Sequence, residues 1–152
     1  MSLALQQRQA RDLVRLREVR MRSAAAALAD ARAATARAEA ARTSADLEDK
    51  TAEHRQTGEV EQLAEDPGEA ERRLALVDQA RFKRAMAGEA LNAAREAERV
   101  CERKEAERRK AMIVARARHD ILAERADAIA RRIEQRNEER AAMDAEDIRR
   151  FR

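Results

Sequence analysis

The chain has 152 residues, 41% of them charged and 1% aromatic, with 33 basic side chains against 30 acidic and a formal net charge of +3. Much of its 44% apolar share is alanine; burial stabilises by roughly 0.8 kcal/mol per CH₂, so an alanine core is thin and a globular fold is excluded. Disorder is excluded by residue type, because Ala, Arg, Glu, Leu and Gln are strong helix formers and their abundance marks long helices and coiled coils.

The opening segment, "MSLALQQRQARD", has no apolar run of the secretory kind. No stretch approaches the ~20 apolar residues of a membrane span. A cytoplasmic protein is expected.

A first helix is predicted over about residues 2–64. Steps of 3.5 residues pass through Leu3, Ala10, Val14, Met21, Ala24, Leu28, Ala31, Thr35, Ala38, Ala45 and Ala52. That is a coiled-coil seam of small residues. Arg17, Arg42 and Asp49 interrupt it, and are read as side chains snorkelling from the seam edge.

The helical pattern breaks once, at "QLAEDPGEAERR" (62–73), which holds the only proline. Asp66 suits an N-cap, Pro67 the first helical position, and Glu69 the third position of a capping-box pattern. The first helix therefore ends between Gly58 and Ala64, with a turn at about 58–67. A short connection between long helices favours antiparallel neighbours.

A second helix is predicted over about 67–150. Its seam runs through Ala87, Leu91, Ala94, Cys101, Met112, Ala115, His119, Leu122, Ala126, Ile129, Ile133 and Met143, interrupted by Glu98, Glu105 and Arg108. The expected fold is all-α: residues 1–152 form one long antiparallel two-helix coiled-coil hairpin. The arms reach ~95 Å and ~125 Å, so the C-terminal end of the second helix protrudes by ~30 Å.

Acid–base pairs four apart support exposed helix by ~0.2–0.5 kcal/mol each. Six are evident: Glu18–Arg22, Asp46–Lys50, Glu69–Arg73, Glu105–Arg109, Asp127–Arg131 and Glu146–Arg150. Charge is also segregated. Residues 43–71 carry a net −8, residues 1–42 a net +5 and residues 72–152 a net +6. The turn is acidic and the end holding both termini basic, which points to different partners at the two ends.

Catalytic and metal chemistry are not expected. Three scattered glycines make no phosphate loop. His54 and His119 lack metal-ligand spacing, and Ser2, Ser23 and Ser44 lack a catalytic histidine. No cofactor is implied. Cys101 is alone, so no internal disulfide forms. It is read as a small seam residue in a reducing compartment. Phe82 falls off the seam and is a candidate contact. Basic residues are not gathered into a stripe with aromatics, so nucleic acid is not the expected partner.

"LVRLREVRMRSAAAALADARA" resembles the N-terminal helix of the type III secretion protein YscO and its flagellar counterpart FliJ. Leu13 and Leu16, then Arg17 and Arg20, then Ala24, Leu28 and Ala31 carry the likeness. "MDAED" (143–147) is similar to the acidic segment near the end of FliJ-type chains, and the two-helix plan matches. The resemblance implies a non-enzymatic stalk. Its terminal end would enter a hexameric secretion ATPase, and its far end would reach the export gate protein, peripheral to the inner membrane. Some members also bind secretion chaperones. Under that reading Arg8, Arg11, Arg15, Arg136, Arg140, Arg149 and Arg150 would meet the ATPase. Leu74, Leu76, Val77 and Phe82 would meet the gate. The alternatives are a coiled-coil spacer or chaperone escort without ATPase contact, and a basic rod binding nucleic acid or anionic membrane.

Overall fold

The computed structural model describes residues 3–65 and 67–150. The chain is an all-α helical hairpin. Helix α1 (Leu3–Glu65) is followed by a 3-10 turn (Pro67–Glu69) and by α2 (Ala70–Arg150), and the two long helices pack against each other. Two compact units are distinguishable: a terminal unit (residues 1–28 with 108–152) and a turn unit (residues 29–107).

The seam is a strict heptad. With multiples of seven as position a, every a and d residue of α1 from Leu3 to Leu63 is buried or half-buried. On α2 the same holds from Arg73 to Ile133, except at Arg84 and Arg108. The core within it is thin: among the described residues Leu28, Val77, Ala80 and Leu91 are the buried hydrophobics. Alanine at ten other seam positions lets the helices approach but covers little area, and many of the rest are polar or charged.

Several seam interruptions prove to be cross-helix ion pairs rather than snorkelling ends. Arg42 Nε donates to Glu98 Oε2 at 3.1 Å, both half-buried. Glu105 meets Arg32 at 3.8 Å. Arg84, exposed at an a position, reaches Glu53 at 2.8 Å and Gln56 at 3.2 Å. Each pairs a guanidinium on one helix with an acceptor on the other, which fixes register as well as charge.

Met143 departs from the predicted seam. It is 68% exposed, and so is every other residue from Glu134 to Arg150. The heptad contact ends at Ile133, and among the described residues none covers Met143.

The break also differs in detail. Helix α1 continues through Gly58 to Glu65, and Pro67 opens a 3-10 turn instead of the first α-turn. The N-cap expected at Asp66 lies outside the described residues. Glu69 still pairs with Arg73 at 3.9 Å. Threonines inside α1 are tolerated because Thr35, Thr43, Thr51 and Thr57 each donate to the carbonyl four residues back, at 2.8–3.1 Å.

Candidate interaction surfaces

In the terminal unit, Arg8, Arg11 and Arg15 stand at b and e positions, so α1 presents them on one flank. They line a groove of about 410 Å³ with Ala4, Gln7 and Asp12. None of the three forms an ion pair among the described residues, so their charge faces solvent. On α2, Arg136, Arg140, Arg149 and Arg150 are likewise exposed. Arg149 and Arg150 occupy the last turn, where cations complement the helix dipole. Both sets of arginines thus belong to one unit.

Divided by unit, the charge contrast keeps its sign but is smaller than over the segments read from the sequence. The terminal unit has 19 basic and 11 acidic residues, a net +8, and the turn unit 14 basic and 19 acidic, a net −5. The exposed segment 134–150 itself carries four arginines among six acids. The positive charge therefore sits on the paired part of the unit and not on its exposed extension.

The four turn-proximal residues do not share a face. Val77 is 2% exposed and is a core residue at an a position, unavailable to a partner. Leu76 is half-buried. Leu74 and Phe82 are 51% and 66% exposed, at e and f positions on different sides of α2. What the fold builds here instead is a groove of about 390 Å³ between α1 and α2, with Leu47, Thr51, Ala52, Leu76 and Ala80 as its apolar lining. Glu48, Arg55, Glu59 and Lys83 edge it. The Glu59 Oε2 atom is buried without a hydrogen-bond partner. Leu47 was the signal missed: it is a lone leucine among charged residues, at an f position off the seam.

Three of the six expected four-apart pairs form with defined distances: Glu18–Arg22 at 2.5 Å, Asp46–Lys50 at 2.7 Å and Glu69–Arg73 at 3.9 Å. Hydrogen bonding from Lys50, aided by the charges of Lys50, Arg95 and Arg42, holds the Asp46 carboxyl below its ordinary value. Asp127–Arg131 and Glu146–Arg150 are not ion-paired among the described residues.

His119 is half-buried at the seam and faces Asp120 at 3.0 Å, while His54 is exposed. Cys101 is a half-buried free cysteine at a d position. Among the described residues no group of three or more His, Cys, Asp or Glu is placed to hold a metal, and no helix is long and apolar enough to cross a membrane. Compared with known protein families, with characterised proteins and with solved structures, the chain matches none.

Proposed function

We propose that the chain is a non-enzymatic stalk of a type III secretion export apparatus, of the kind its resemblance to YscO and FliJ implies. Its terminal unit engages the hexameric secretion ATPase, and its turn unit addresses the export gate protein at the inner membrane. The observation that carries this reading is the contrast between the units: one is net +8 and ends in a helix exposed on every face, the other is net −5. A helix with no neighbour is the part able to enter a ring, and unpaired arginines beside it supply attraction and steering. Arg8, Arg11 and Arg15 hold their charge in a groove with one acid, Asp12, which leaves them available to an acidic rim.

The gate contact is assigned to Leu74 and Phe82, the two exposed members of the original four. Secretion chaperones remain partners that the resemblance implies. The test is a binding assay against the assembled ATPase and its isolated subunits. Arg8→Glu/Arg11→Glu/Arg15→Glu is expected to lose ring binding with helicity intact. Undiminished ring binding by this triple variant would remove the assignment and favour the spacer reading.

A further inference from the structure

The paired part of the terminal unit carries a cationic groove separate from the one that holds Arg8, Arg11 and Arg15. It measures about 380 Å³, with Ala111, Val114 and Ala115 of α2 as its floor. Arg17 and Arg20 of α1 and Lys110 and Arg118 of α2 surround it. No acid lines it, and none of the four cations forms an ion pair among the described residues. The acids of this unit nearest in sequence are already engaged: Glu18 holds Arg22 at 2.5 Å, and Asp120 faces Arg116 at 3.9 Å and His119 at 3.0 Å. Even with Asp30 and Glu107, the next acids toward the turn on each helix, four cations stand against two acids.

The floor is apolar and shallow. Ala111 and Ala115 stand one turn apart with Val114 beside them, so α2 offers a furrow of small side chains into which the side-chain ridge of another helix can pack. Within the same unit, Leu13 and Leu16 of α1 and Ile121 of α2 continue the g and c side by heptad position, and all three are exposed. Ile113 is also exposed but stands at b, on the other side of α2. An exposed apolar patch rimmed by polar residues marks an interaction site, and here the rim has one sign of charge.

We infer that this groove receives a helix of a partner protein whose apolar stripe is flanked by Asp and Glu, packed as a third helix against α1 and α2. The stripe lies on the alanine and valine floor, in the manner of an amphipathic helix in a groove. The four cations meet the flanking carboxylates in charge-assisted hydrogen bonds. A nucleic acid would satisfy the cations but leave Leu13, Leu16, Val114 and Ile121 against phosphates, and no aromatic lines the groove for bases to stack on. A bilayer surface is flat and does not follow a furrow between two helices. The partner need not belong to a secretion apparatus, so the site stands apart from the stalk reading.

The test is fluorescence anisotropy, with the full chain titrated into a labelled synthetic peptide of about 20 residues, long enough to hold a helix. The peptide carries leucines at a and d spacing flanked by glutamates. Binding is expected, weakening as salt screens the charges. The same peptide with lysine for every glutamate should bind roughly tenfold more weakly. Val114→Glu should raise the dissociation constant of the acidic peptide by roughly tenfold or more, while Ile113→Glu, one residue away, should leave it unchanged. Arg20→Glu/Arg118→Glu should lose the acidic peptide and gain the lysine peptide, a swap that misfolding does not produce. No binding of the acidic peptide, equal binding of both peptides by the unaltered chain, or equal losses from Val114→Glu and Ile113→Glu at intact helicity would overturn the inference. So would binding to vesicles of phosphatidylglycerol and phosphatidylcholine without binding of the peptide, which would make the groove a membrane surface. No ATPase is present in this assay, so its failure is separate from failure of the stalk reading.

Discussion

Individual residues of this hairpin divide sharply between the few that hold it together and the many that stay in water. Leu91 is 5% exposed in the seam. Its replacement by alanine removes buried methylene and leaves a gap, so Leu91→Ala should destabilise by about 2–3 kcal/mol, at the low end of such changes because small neighbours can close in. Phe82→Ala, on open surface, should shift stability by less than about 0.5 kcal/mol. Thermal or urea unfolding of the two variants checks both values, and equal losses would mean that Phe82 is covered in solution. Asp46 gives a pH prediction. Its folded carboxyl lies below the ordinary 3.8, so its contribution is fully present above that value and is lost as pH falls from 3.8 through the depressed folded value. Asp46→Asn should therefore flatten the decline of the unfolding midpoint below about pH 4, the ordinary carboxylate range, by lowering the midpoint slightly at neutral pH and leaving it unchanged at the acid end. An unchanged acid limb would show that Lys50 does not hold Asp46 in solution.

At the scale of the helices, most of the fold was legible. Heptad spacing located the seam of α1 from Ala10 to Ala52 but missed Gln7, Gln56, Glu59 and Leu63, and the lone proline located the chain reversal. The start of the α2 seam was not legible, because Arg73 and Arg84 occupy d and a positions there and mask the repeat. Counting back in sevens from Leu91 and Ala87 reaches Val77 and Ala80, two of the four buried residues. Val77 was instead read as a surface contact, since an apolar residue beside a turn looks available when its register is unseen. The groove by Leu47 and Leu76 was illegible for a different reason: it is lined by residues of both helices, and no single-helix periodicity reports that juxtaposition. The glycines offer a prediction at this scale. Gly58 lies inside α1, and a Cβ there would meet nothing within 4 Å. Gly58→Ala should stabilise the helix by roughly 0.5–1 kcal/mol and raise the unfolding midpoint by about 1–4 °C. A lower midpoint would show that the helix bends or opens at Gly58.

For the molecule as a whole, the thin seam and the charge contrast lead to the same expectation. The chain exposes 11977 Å², against about 7,800 Å² for a compact monomer of its 17.2 kDa mass. So much open surface with so few buried residues describes a protein that gains stability on binding, since a partner that binds only the folded form shifts its unfolding by mass action. The central claim is that the terminal unit engages a hexameric secretion ATPase through its exposed helix and neighbouring arginines. The most direct measurement is the steady-state ATP hydrolysis rate of the cognate ATPase with saturating full-length chain, with a chain ending at Ile133, and with a Leu74→Ser/Phe82→Ser variant. The truncation removes the fully exposed helix and leaves the heptad seam in place. Full-length chain and the Leu74/Phe82 variant should raise the rate alike, and the truncated chain should not. Full stimulation by the truncated chain, together with loss of stimulation in the Leu74/Phe82 variant, would contradict the account and assign the ATPase contact to the turn unit.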